Sequence, residues 1–169
     1  MENMELKPVS VFKYFAEVCN VPRPSKKEEK IIAYLLDFAQ KHQLEYKTDE
    51  AGNVLIKKPA TPGKENLKTV ILQSHIDMVC EKNSDVEHDF LNDPIQTYVD
   101  GEWLKAKGTT LGADNGIGMA TQLAVLAADD IEHGPIECLF TVDEETGLTG
   151  AFALKEGFMD GDILINLDS

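Results

Sequence analysis

Residues 69–77 read TVILQSHID. The first five are apolar or β-branched, ending on one polar residue, and show no helical spacing. That is the pattern of a strand covered on both faces, where polar alternation disappears. The next four, Ser74-His75-Ile76-Asp77, carry an imidazole and a carboxylate out of the strand. Two further segments share this form: IECLFT (136–141) runs into Asp143-Glu144-Glu145, and ILINL (163–167) runs into Asp168. Both read as core strands. Sites in α/β sheets form beyond the carboxyl ends of the strands, so these three runs aim one imidazole and several carboxylates at a single sheet edge.

Outward from these strands the chain alternates elements. Phe12, Phe15, Ala16 and Cys19 keep the i, i+3, i+4, i+7 spacing of a helix that stops near Pro22 and Pro24. Ser25 with Glu28 reads as a capping box for a second amphipathic helix carrying Ile31, Tyr34, Leu35 and Phe38 and running to about His42. Segments 44–47 and 53–57 suggest a hairpin around the turn-rich Asp49-Glu50-Ala51-Gly52, and 98–105 a second turning on Asp100-Gly101. Segment 117–127 is apolar nearly all round and reads as a buried helix. A short helix is expected around 151–155. The fold class is α/β, with a mixed central sheet flanked by helices.

The chain has 169 residues, enough for one domain with a core. Its 30 acidic against 16 basic residues give a net charge of -14, which disfavours nucleic acid and anionic membranes as partners. No run has the length of a membrane span and no apolar stretch like a signal peptide follows Met1–Lys7, so a soluble cytoplasmic protein is expected. Cys19, Cys80 and Cys138 are odd in number and far apart, so buried free thiols are expected rather than disulfides. His42, His88 and His133 read as surface residues, and Trp103 as a packing residue.

Imidazole with carboxylates suits zinc or a similar divalent ion, and a carboxylate cluster can hold two ions with one group bridging them. In the extended His75-Ile76-Asp77 run, residues i and i+2 share a side, so Asp77 can accept the second ring N–H of His75 and fix its tautomer. Glu144 and Glu145 point different ways, which allows one to bind metal and the other to take a proton from water. GADNGIG (112–118) lacks the ending of a phosphate loop. Each piece alone is commonplace: a lone H-x-D arises by chance, and paired acids at a turn are usually solvated. Their joint placement at strand ends is what points to a metal-dependent hydrolase.

Four stretches, SHIDMVCEK (74–82), DGEWLKAKGTTLGADNGIGMA (100–120), EHGPIECLFTVDEETGLTGA (132–151) and LINLDS (164–169), resemble successive motifs of the aminoacyl-histidine dipeptidases, zinc peptidases of the cytosol. The resemblance spans nearly all of the chain. It implies a catalytic domain of the zinc-peptidase type in which His75 and Asp168 bind one zinc, Glu145 binds the other and Asp114 bridges both. It further implies Glu144 as general base and Asp77 as the orienting carboxylate. The implied reaction is hydrolysis of dipeptides with a free amino terminus, with zinc polarising the carbonyl and manganese or cobalt as alternative metals. Family members continue beyond this length with a lid or dimerisation domain and a closing catalytic segment that supplies a further zinc histidine. Residues 1–169 are therefore expected to be the N-terminal part of the catalytic domain, incomplete at its C-terminus. A truncated product is the expectation and a naturally short paralogue the alternative. Two other readings stand beside the dipeptidase: a non-catalytic metal-binding fragment, or a related aminotripeptidase or deacetylase. An incomplete sheet would leave an apolar edge or face uncovered and lead to self-association or low stability.

Overall fold

The structure is a computed structural model describing residues 6–168. In chain order the elements are α1 (Val9–Cys19), α2 (Glu29–Lys41), β1 (Glu45–Thr48), β2 (Val54–Lys58), β3 (Val70–His75), β4 (Thr97–Asp100), β5 (Trp103–Ala106), α3 (Ala113–Ala127), β6 (Ile136–Thr141), α4 (Thr149–Ala153) and β7 (Ile163–Asn166). Five strands form one sheet in the order β1-β2-β6-β3-β7, and β4 with β5 forms a separate hairpin. β6, β3 and β7 run parallel, whereas β1, β2 and β6 pair antiparallel. The sheet is mixed, as the sequence predicts.

The missing alternation in the central strands has a direct cause. Along β2, Val54 and Ile56 enter the main core while Leu55 enters a second cluster; along β6, Cys138 and Phe140 enter the main core and Leu139 the second. α1, α2 and α3 supply the main core with Phe15, Val18, Ile31, Leu35, Met119 and Leu123. Leu154, Phe158 and Met159 cover the smaller cluster on the opposite face. Both faces of the strand centres are covered, so every position gains from being apolar, at about 1.5–3 kcal/mol per fully buried large side chain.

Several expectations are corrected. Ser25 and Glu28 form no capping box: α2 starts at Glu29 without a side-chain cap, and both residues are spent on distant loops. In the β4–β5 hairpin Asp100 already pairs with Trp103, so the turn residues are Gly101 and Glu102, with Gly101 taking the positive φ of 61° that favours glycine. Trp103 is 70% exposed and packs nothing into the core. β7 is an exposed edge rather than a core strand, since among the described residues only β3 pairs with it and Ile163, Leu164 and Ile165 are open to solvent. Cys19 and Cys138 are buried free thiols, and burial pushes the Cys19 thiol up to about 11; Cys80 is only half-buried. Of the three histidines expected at the surface, His42 is exposed but His88 and His133 are half-buried.

Candidate metal centre

Strand register brings the ligand candidates together. His75 closes β3 and pairs with Thr141, the last residue of β6, so Glu144 and Glu145 follow just beyond the same sheet edge. Gln73 pairs with Asn166 on β7, which puts Asp168, two residues on, level with His75. α3 brings the fourth arm. Its N-cap Gly112 is left-handed with φ 68°, and Asp114 and Asn115 are non-helical, so the regular helix starts at Gly116. The break swings Asp114 away from the helix and toward the sheet edge.

The geometry converges on one nitrogen. His75 Nε2 lies 2.9 Å from Asp114 Oδ1, 3.7 Å from Asp168 Oδ2 and 3.9 Å from Glu144 Oε2. Potential ligand atoms of His75, Asp114 and Asp168 form one cluster, and those of His75, Glu144 and Glu145 another, each within 4.8 Å. Of the six residues singled out in the sequence, the structure therefore gathers four around the imidazole of a fifth, His75, and the sixth, Asp77, stands behind it. His75 is common to both clusters. Glu144 comes as near to it as Asp168 does, so position alone does not divide base from ligand.

Asp77 is fully buried and organises the site from beneath. Its Oδ1 lies 3.2 Å from His75 Nδ1 and accepts the Glu144 N–H at 3.0 Å; its Oδ2 accepts the Ser25 hydroxyl at 2.6 Å and the Glu145 N–H at 3.2 Å. Burial alone would raise its pKa, but these hydrogen bonds, from His75 first, win and hold it down at about 2. Burial likewise opposes a charge on His75, yet bonds to Asp77 and Asp114 and the charge of Asp168 lift it to about 9. Glu145 moves up, through desolvation first and then, against the pull of His75, repulsion from Asp114, Glu144 and Asp77. Carboxylates crowded this closely repel one another unless a cation lies among them. One imidazole with several carboxylates is also the donor set a zinc ion takes, so the residues present fit a divalent metal.

A second group of buried acids, Glu28, Asp77 and Asp143, has metal-like spacing. Its oxygens already serve the fold. Glu28 Oε1 accepts the Lys26 and Asp143 N–H groups, and Asp143 accepts the hydroxyls of Thr146 and Thr149. These bonds pin the 143–149 turn, in which Asp143 and Leu148 take left-handed φ values of 50° and 56°. Sequence reasoning missed Ser25 and Glu28 as supports because their partners are 52 and 115 residues away, and it missed Asp143, whose carboxylate turns inward to Thr146 and Thr149.

A mixed α/β sheet that gathers one imidazole and several carboxylates at the carboxyl ends of its parallel strands is a frame suited to a divalent-metal enzyme. The chain belongs to the peptidase family M20/M25/M40, whose family model matches residues 71–167; peptidases of this family depend on metal ions. It is 52% identical over 168 residues to the cytosol non-specific dipeptidase of Escherichia coli, covering 99% of this chain and 35% of that one. The crystal structure of aminoacylhistidine dipeptidase from Vibrio alginolyticus matches all of the chain with a TM-score of 0.97 and 57% identity, over 34% of its own length. Aminopeptidase PepT from Bacillus cereus matches 95% of the chain with a TM-score of 0.80 and 27% identity, over 43% of its length. The chain thus spans about a third of the length of its two most similar relatives named here. Among the described residues, no helix is long and apolar enough to cross a membrane.

Proposed function

We propose that the chain contributes the metal-binding heart of a zinc-dependent dipeptidase acting in the cytoplasm on small peptides with a free amino terminus. The observation that carries this reading is the convergence on His75 Nε2 of Asp114, Asp168 and Glu144, each within 3.9 Å and each from a different segment. The dipeptidase names of the relatives at 52% and 57% identity support the substrate class. His75, Asp114, Glu145 and Asp168 would hold the metal, a donor set large enough for two zinc ions. Manganese or cobalt can replace zinc in such a carboxylate-rich set.

A divalent metal bound there would supply Lewis acidity toward the peptide carbonyl. Glu144, half-buried at the mouth of the site, takes the proton of the attacking water and delivers it to the leaving amine. Asp77 keeps the His75 ring in one orientation through Nδ1, leaving Nε2 for the metal. The acidic surroundings attract the protonated amino terminus of a peptide, as electrostatic steering requires.

Zinc titration of the metal-stripped chain by calorimetry, with Asp114→Ala as control, tests the assignment. Saturable binding that Asp114→Ala weakens at least tenfold is expected. Binding unaffected by the substitution would remove Asp114 from the site, and no binding at all would leave the fold without this chemistry. Turnover of dipeptides against tripeptides and acetylated amino acids then separates a dipeptidase from an aminotripeptidase, a deacetylase or a non-catalytic fragment.

A further inference from the structure

We infer that Arg23 is a positioning residue for the metal site, a buried clasp that sets the spacing between the loop bearing His75 and Asp77 and the loop bearing Asp114. The inference rests on the metal-site reading above and deepens it. Arg23 is 2% exposed, although an arginine is among the costliest side chains to take out of water. Its guanidinium donates through Nη1 to the carbonyls of Ile76 at 3.1 Å and Asp77 at 2.9 Å, and through Nη2 to the carbonyl of Gly112 at 2.5 Å. One planar fork therefore spans two loops separated by 35 residues. The main chain of the same segment joins in: Met78 N–H donates to the Arg23 carbonyl at 3.1 Å, and Pro24 bridges to Met78.

The glycines of GADNG fit this clasp. A Cβ at Gly112 would stand 2.5 Å from Arg23 Nη2 and 2.8 Å from the Met78 sulfur, and one at Gly116 would stand 2.7 Å from Nη2 and 3.1 Å from Phe15. Both glycines leave room for the guanidinium, and Asp114 hangs midway between them. The clasp thus holds one end of the bend that carries Asp114 through the Gly112 carbonyl and packs close against Gly116 at the other, while its other hand holds the carbonyls of the consecutive residues Ile76 and Asp77. Asp114 and His75 come from different elements, and a rigid fork between their loops keeps them within ligand distance before a metal arrives. Preorganisation of that kind appears as affinity. A lysine carries the charge but lacks the fork, so it cannot serve both loops in the same geometry.

Arg23→Lys and Arg23→Gln, with Gly116→Ala as a variant that keeps the arginine but crowds its guanidinium, test the clasp in the metal-stripped chain. Three readouts apply: cobalt affinity with its visible absorption bands, amide hydrogen exchange, and urea midpoint. Expected are a cobalt affinity lowered at least tenfold in all three variants, altered band positions, and faster exchange at both Met78 and Gly116. Partial recovery of the urea midpoint by Arg23→Lys without recovery of cobalt affinity would separate positioning from bulk stability. Folded variants with wild-type cobalt spectra and affinity would overturn the inference. If the parent chain binds no cobalt, the metal reading fails by itself; the clasp is then judged on exchange alone, and unchanged protection at Met78 and Gly116 would sink it. Should both Arg23 variants fail to fold, Gly116→Ala decides by the same criteria.

Discussion

The two edges of the five-stranded sheet are built from opposite kinds of residue. At one edge β1 reads Glu45-Tyr46-Lys47-Thr48, with charged or polar residues at three of four positions; at the other β7 reads Ile163-Leu164-Ile165-Asn166. β1 is a blunted edge, since charge on an outer strand discourages pairing with another chain. The Lys47 ammonium also lies over the Phe158 ring, 5.1 Å from its centroid, which places a charge beside this edge. β7 has neither device, and Ile163, Leu164 and Ile165 are 43%, 51% and 45% exposed. Its composition is that of an interior strand in an edge position. The contrast teaches that composition records what a strand is suited to touch, while exposure records what touches it in this structure.

The sharpest way to break the contrast is to exchange the characters of the edges. Self-association through β7 is expected, so Leu164→Lys should shift the sedimentation profile from associated species to monomer, whereas Tyr46→Lys on β1 should leave it unchanged. A monomeric parent chain would remove β7 as a sticky edge. Next in size is the cost of a cavity. Leu139→Ala on β6, where the side chain is fully buried, should lower stability by about 3 kcal/mol. Ile165→Ala on β7 should cost less than about 1 kcal/mol, because it leaves no enclosed void. Urea unfolding of the two variants measures the difference, and equal losses would mean that β7 is covered in solution.

A pH dependence of stability is expected as well, and it belongs to the sheet's carboxyl end and not to either edge. His75 is raised from its ordinary 6.5 to about 9, so in the metal-free chain its contribution to stability is complete below pH 6.5 and is lost as pH rises through 9. Asp77 is lowered from 3.8 to about 2, so its contribution is complete above pH 3.8 and lost as pH falls through 2. A plateau between those limits is expected in the urea midpoint. Asp77→Asn should abolish the acid limb, and Leu164→Lys should leave both limbs in place.

What was legible in the sequence divides along the same physical line. β6 was readable to the residue, and β3 to within two, because burial on both faces leaves a local signature of unbroken apolar character. The convergence of His75, Asp114, Glu144, Glu145 and Asp168 was readable because they follow apolar runs or sit at the start of the buried helix. The capping pair was misjudged at Ser25 and Glu28 because S-x-x-E is a local pattern, while their partners, Asp77 and the Asp143 amide, come from far along the chain. Arg23 gave no signal for the same reason: an arginine between two prolines reads as solvated until the carbonyls that claim it are in place. Trp103 and β7 show the converse, since hydrophobic character in a sequence does not say whether a cover exists.

The order β2-β6-β3-β7 has a consequence for how the chain acquires its shape. β6 is the strand that joins β2 to β3, and it begins 61 residues after β3 has ended. A ribosome adding roughly 5–20 residues per second would need on the order of 3 to 12 seconds to cover that interval. Throughout it the strands on either side of the gap exist without the one that binds them. Pairings over such sequence separations make folding slow. The nascent chain therefore carries VILQ for several seconds before the strand that pairs with it on the β6 side has been made.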